Sequence, residues 1–81
     1  MQTRQEIIIA YIEESFLTGN DGNKLSSDDD LLGSGLLDSM GVMKLVGFIE
    51  EEFNILVPPE DIIIENFMSV GFIDRYLETR I

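Results

Sequence analysis

Asp38 and Ser39 are the neighbours whose types and place suggest chemistry. They stand in Gly35-Leu36-Leu37-Asp38-Ser39-Met40-Gly41, where a long polar stretch gives way to the most regular helical pattern of the chain. Asp is a favoured N-cap, because its carboxylate accepts a backbone N–H that the first helical turn leaves unpaired. Ser39 then falls on that first turn, exposed and held in direction by the helix behind it. Inward-pointing amides and the helix dipole favour an anion attached at such a point, a phosphate ester for example. Taken alone, these residues read more simply as the start of a helix.

The rest of the composition narrows the chemistry. The chain has no cysteine and no histidine, which removes thiol nucleophiles, thiolate metal sites and Ser-His-Asp arrangements. A hydrolase built on Ser39 also lacks the Gly-x-Ser-x-Gly elbow. Sixteen acidic and five basic residues give a net charge of −11. That balance argues against nucleic acid and anionic membrane surfaces, and suits a partner with basic patches. The longest apolar run, residues 7–12, is far too short to span a bilayer, and the N-terminus lacks a signal-peptide pattern. A cytoplasmic location and no membrane insertion are expected. The 81 residues, 44% of them hydrophobic, are enough for one small folded domain with little stability to spare.

The elements that must position Ser39 follow from spacing. Thr3 with Glu6 three residues later reads as a capping box. Ile8, Ile9, Ile12 and Phe16 then recur at helical spacing, widened by Ile7 and Tyr11, which predicts a first helix over residues 4–17 with Gly19 just past its end. Residues 18–34 carry Gly, Asn, Asp and Ser punctuation and form a long loop, with Leu25, Leu31, Leu32, Leu36 and Leu37 as its apolar anchors. The acidic run at 28–30 is a solvated stretch that could cap a turn or attract a divalent cation. A calcium loop started at Asp28 fails, because Leu32 and Ser39 fall at ligand positions, and no metal site is expected.

A second helix over residues 39–53 buries Val42, Leu45, Val46, Ile49 and Phe53. Met40, Met43, Lys44, Gly47, Glu50 and Glu51 fall on its other faces, where exposed methionines beside a glycine make a soft surface. Asn54 ends that helix. Pro58 and Pro59 allow a short acidic turn over residues 60–64, whose isoleucines plug a gap between longer helices. Asn66 or Ser69 caps a last helix over residues 70–78, with Val70, Ile73, Tyr76 and Leu77 inward, Phe72 beside them, and Arg75 and Arg80 complementing the dipole. The expected fold is all-α: a small four-helix bundle of three main helices and one short one, with a long loop after the first, over residues 1–81.

Gly35-Leu36-Leu37-Asp38-Ser39-Met40, followed by Leu45, Ile49, Glu50-Glu51-Glu52-Phe53 and Val57-Pro58, resembles the acyl carrier protein family over nearly the whole chain. In that family the serine of Asp-Ser-Leu carries 4′-phosphopantetheine through a phosphodiester. The resemblance implies that Ser39, after Asp38, holds the arm, with Met40 replacing leucine conservatively. The arm would supply the thiol that this chain lacks and would present acyl or aminoacyl cargo as a thioester. Ser39 would be the substrate of a phosphopantetheinyl transferase, and the chain no enzyme. An acyl- or aminoacyl-activating ligase and downstream synthases would then be its partners, and the chain would work as a monomer. Fatty-acid carriers usually have acidic residues where this chain has Gly41 and Lys44. Ser-Met-Gly and the Glu65-Asn66-Phe67 stretch are instead similar to D-alanyl carriers and stand-alone amino-acid carriers. The partner surface expected from this comparison comprises Met40, Gly41, Met43, Lys44, Gly47, Glu50 and Glu51. The alternative is an unmodified helical module that docks a partner through the face of Met40 and Met43.

Overall fold

Thr3 and Glu6 open the first helix reciprocally: the Thr3 N–H donates to Glu6 Oε1 at 2.8 Å, and the Glu6 N–H donates to Thr3 Oγ1 at 3.1 Å. The computed structural model describes residues 2–16 and 25–81. Helix α1 is Arg4–Phe16; Leu17 and Gly19, expected at its end, lie outside the described residues, as do positions 18–24 of the loop. Ile8 and Ile12 are fully buried, with Ile9, Tyr11 and Phe16 packed beside them. Glu13, off that stripe, accepts the Leu25 N–H at 2.7 Å and so fastens the far end of the loop to α1.

Helix α2 is Ser39–Phe53, with Leu45, Val46 and Ile49 buried. It ends at Asn54, whose φ of 57° is left-handed, a conformation Asn tolerates better than most residues. The N–H groups of Asn54 and Ile55 both close on the Glu50 carbonyl. The chain then runs to Pro58, which is extended, and Glu50 uses its side chain too, accepting the Val57 N–H at 2.9 Å.

The short acidic turn expected over residues 60–64 is two pieces. A 3-10 turn spans Pro59–Asp61, and a one-turn helix, α3, spans Ile64–Phe67. The expectation that all its isoleucines plug the interior is corrected as well. Ile62 packs on the core, but Ile63 is 46% and Ile64 67% exposed. Extended backbone at Ile63 turns successive side chains apart, so the run cannot bury every member. Phe67, almost wholly buried, fills the gap instead.

Helix α4 is Val70–Glu78 and buries Val70, Ile73 and Leu77. Ser69 caps it, its Oγ accepting the Phe72 N–H at 3.3 Å. Asn66 lies within α3 and donates to the Asp61 carbonyl at 2.8 Å. Phe72, expected beside the inward face, is exposed, with the Arg75 guanidinium 5.5 Å above its ring.

Helices α1 and α3 both pack on α4. Arg4 reinforces the first contact through Asp74 at 2.6 Å and Glu78 at 3.3 Å, joined by the Gln5 amide on Asp74. The Asp74 hydrogen bond raises the Arg4 pKa further above its ordinary range. Between α1 and α2, Tyr11 stacks on Phe48 with ring centroids 4.1 Å apart. The described residues contain helices and turns and no strand. No helix among them is long and apolar enough to cross a membrane.

Candidate functional site at the start of the second helix

The segment leading to Ser39 is held by two leucines. The Leu31 N–H donates to the Met68 carbonyl at 2.8 Å, and the Leu37 N–H donates to the Leu31 carbonyl at 2.9 Å. Both side chains are buried in the core. Between them the chain reverses at Gly35, whose φ of +83° is open to glycine at little cost. The acidic run supports these turns: Asp29 accepts the Ser26 N–H, and Asp30 accepts the N–H groups of Leu32 and Gly33. Among the described residues no group of three carboxylates is arranged to hold a metal ion.

The core-facing Leu37 thus delivers Asp38 in extended conformation to the end of α2, where its Oδ1 accepts the Gly41 N–H at 2.7 Å. The Asp38 carbonyl takes the Val42 N–H at 2.9 Å. Ser39, the first residue of α2, is exposed. Beside it lies an open groove of about 500 Å³, lined by Leu32, Leu37, Asp38, Ser39, Val42, Met43, Ile62, Ile63, Ile64 and Phe67. Ile62, Ile63 and Ile64 were not among the site residues expected from sequence. Their signal was three consecutive isoleucines in a segment too short to bury both its faces.

Met40 is 70% exposed, and Met43, Lys44, Gly47 and Glu51 are exposed with it. Lys44 makes no ion pair among the described residues. Two residues expected on the partner surface behave differently. Glu50 is half-buried and spends its carboxylate on the Val57 N–H. Gly41 is buried, and a Cβ there would lie 3.2 Å from Leu37 Cδ2 and 3.3 Å from both Asp38 Oδ1 and Phe16 Cε1. Gly41 is therefore a packing position: without a side chain it lets Phe16 and the capping carboxylate close on the first turn.

Comparison with known proteins agrees with this arrangement. Residues 15–71 match the family described as "Phosphopantetheine attachment site". Over 54 residues, 67% of the chain, it is 43% identical to the D-alanyl carrier proteins of two Streptococcus suis strains, 05ZYH33 and 98HAH33. The matched stretch spans 65% of the length of each of those relatives. The fold is similar to the solved structure of Bradyrhizobium japonicum glycine:[carrier protein] ligase complexed with glycylated carrier protein. That likeness has a TM-score of 0.72 at 27% identity and covers 91% of this chain and 97% of the other.

The described residues, helices and turns with an exposed serine at a capped helix start, have the carrier-protein fold. The chain belongs to the phosphopantetheine-attachment family, whose domains take 4′-phosphopantetheine covalently. The residues here fit that group. Asp38 turns its carboxylate onto the Gly41 N–H, and an apolar groove adjoins the exposed Ser39.

Proposed function

We propose that this chain is an aminoacyl or acyl carrier in which Ser39 is the attachment residue. The observation that carries this reading is the exposed Ser39 at the Asp38-capped start of α2, beside an apolar groove. When bound, the arm supplies the thiol that a cysteine-free chain lacks, and cargo is held there as a thioester. The chain's own residues do the rest. Asp38 and Gly41 hold the first turn, Leu31 and Leu37 hold the segment before it, and Val42, Met43 and Ile62 offer apolar cover near Ser39.

Ser39 acts as the substrate of a phosphopantetheinyl transferase. Its Oγ bonds to the phosphorus that bears pantetheine in coenzyme A, and the bond from that phosphorus to the bridging oxygen breaks. Adenosine 3′,5′-bisphosphate leaves, and the serine proton passes to the transferase. The relatives named as D-alanyl carriers, and the glycylated carrier of similar fold, favour a small amino acid as cargo and an amino-acid-activating ligase as the loading partner. Downstream synthases or transferases would receive the cargo, and the cytoplasm is the proposed site of action. The exposed Lys44 on α2, which has no ion pair among the described residues, suits such a ligase better than enzymes that read an acidic helix.

The test is incubation with coenzyme A, Mg²⁺ and a broad-specificity transferase, followed by mass spectrometry. The chain gains one phosphopantetheine and Ser39→Ala gains none. Modification of the alanine variant, or at Ser15, Ser26, Ser27, Ser34 or Ser69, overturns the assignment. A wild type that stays unmodified leaves the chain as an interaction module docking through Met40 and Met43.

A further inference from the structure

The space left by the missing side chain of Gly41 is closed by three neighbours. A Cβ built there would lie 3.2 Å from Leu37 Cδ2, 3.3 Å from Asp38 Oδ1 and 3.3 Å from Phe16 Cε1. Two of these are local: Leu37 anchors the incoming segment, and Asp38 caps the turn through the Gly41 N–H. The third comes from another helix. Phe16 is the last residue of α1 and only half-buried, so the core alone does not fix its ring. Tyr11 holds it edge-on, with centroids 6.2 Å apart and planes at 78°. Tyr11 in turn lies flat on Phe48, 4.1 Å away and inclined by 11°, and its hydroxyl donates to the Lys44 carbonyl at 3.4 Å. Aromatic pairs in these two geometries attract beyond the area they bury and hold their rings in set orientations. Phe48 stands seven residues after Gly41, about two turns further along the same face of α2. The line from Gly41 through Phe16 and Tyr11 to Phe48 therefore leaves α2, crosses to α1 and returns to α2.

We propose that Phe16, braced by Tyr11, is a positioning residue for the chemistry at Ser39, acting through Gly41 and the Asp38 carboxylate. The inference rests on the carrier reading. Phe16 lies against the turn on which Ser39 stands, at the residue whose N–H the cap holds. Removing its ring takes away one wall of that turn and leaves the Asp38–Gly41 bond free to shift. Adding a methyl group at Gly41 has the converse effect, because the ring, Leu37 or the capping carboxylate must give way. Ser39 Oγ has to reach a phosphorus in line with the bond that breaks, and a misplacement of about 1 Å can cost on the order of 100-fold in rate. Smaller shifts than that are expected here, and so a loss of a few-fold. The affected step is the chemistry and not the encounter, since Gly41 is buried and the exposed residues of α2 are left as they are. Nor is it a matter of helix strength, because alanine is a better helix former than glycine.

The experiment compares wild type, Gly41→Ala, Phe16→Ala, the double variant and Ile73→Val, a core change on α4 that serves as the control for stability. It reads melting temperature, hydrogen exchange of the Gly41 amide relative to that of Leu45, and single-turnover modification of Ser39 with coenzyme A over a range of broad-specificity transferase. Gly41→Ala and Phe16→Ala each slow the saturated rate more than twofold, and the half-saturating transferase concentration stays within twofold of wild type. Gly41 exchange speeds up more than twofold in Phe16→Ala. The double variant loses less than the product of the two single losses, because the added methyl no longer meets the ring. Ile73→Val melts lower and keeps the wild-type rate. A saturated rate within twofold of wild type in either single variant, a change confined to half-saturation, losses that multiply, unchanged Gly41 exchange, or an equal slowing of Ile73→Val overturns the positioning role and leaves the carrier reading standing. A wild type that is not modified at all overturns both.

Discussion

Asp38 Oδ1 accepts the backbone N–H of Gly41 at 2.7 Å, and the two residues lie on either side of Ser39 and Met40. The bond fixes the first turn of α2 from outside the helix, so the direction of Ser39 depends on a side chain that does no chemistry. Asp38→Ala leaves that N–H without its partner and costs about 1 kcal/mol. In a domain of this size the melting temperature falls by roughly 4–8 °C per kcal/mol. Asp38→Asn keeps an acceptor and recovers most of the loss. Thermal melting followed by circular dichroism decides it, and equal melting of wild type and Asp38→Ala would show that the cap does not hold this turn.

Tyr76 gives the fold a dependence on alkaline pH. Its phenol is pushed up to about 12, first by burial and then by its hydrogen bond to Asp61 at 2.6 Å. The folded chain therefore holds the proton more tightly than the unfolded chain, whose phenol titrates near 10. The stabilisation is complete below pH 10 and is lost as pH rises towards 12. Over that interval wild type should lose melting temperature faster than Tyr76→Phe, and its phenolate absorbance should show a late step that the variant lacks. Parallel loss in the two proteins would remove Tyr76 as the cause.

On the proposed carrier reading, Lys44 is expected to govern which enzymes the chain serves. It projects from α2 near the exposed Met40 and Met43, and a basic partner surface would meet it as a like charge. Holo wild type should be loaded poorly by a fatty-acid malonyl transferase, and Lys44→Glu should be loaded several-fold faster. Being exposed, the substitution should change stability by less than about 0.5 kcal/mol. Wild type loaded as fast as a fatty-acid carrier, with no effect of Lys44→Glu, would free this surface from any role in specificity.

Arg4 joins α1 to α4 in a chain whose net charge is strongly negative. With a net charge of −11, the melting temperature should rise with NaCl as the repulsion is screened over a Debye length of ~10 Å at 0.1 M. Arg4→Ala removes the ion pairs to Asp74 and Glu78 and should cost on the order of 1 kcal/mol, since the pair is only partly shielded from water. Its salt response should be steeper than that of wild type. A melting temperature indifferent to NaCl in both would show the charges to be too dispersed to matter.

The readable parts of the chain were those set by neighbours in sequence. The Thr3–Glu6 box, the Asp38 cap, Asn54 and the Ser69 cap each act within a turn, and the bounds of α2 and α4 came out as their residues predict. The corrections fall where tertiary packing decides. Gly41 looks like a surface position by helical spacing, but Phe16 from another helix covers it. Phe72 sits on the edge of the apolar stripe of α4 and turns outward under Arg75. Ile63 and Ile64 could not be told from core residues by hydrophobicity, because what exposes them is the extended backbone between two short helices. The exposed position of Ser39 was legible because the Asp38 cap and the first turn of the longest helix are both local.

The bond from the Leu31 N–H to the Met68 carbonyl has a consequence for the order of assembly. The segment that ends in Ser39 is latched by a residue far later in the chain, and Arg4 waits still longer for Asp74. At synthesis rates of ~5–20 residues per second, the latch stays open for some seconds after Leu31 is made. During that interval α2 can wind and the turn before it can close on the Leu31 carbonyl, but nothing yet ties that turn to the later part of the chain. Ser39 gains its fixed setting only when the last third of the chain arrives. On the proposed carrier reading, the segment that ends in Ser39 thus matures late, ahead of the Arg4–Asp74 contact, and a transferase that reads the folded face would work on finished chains in preference to growing ones.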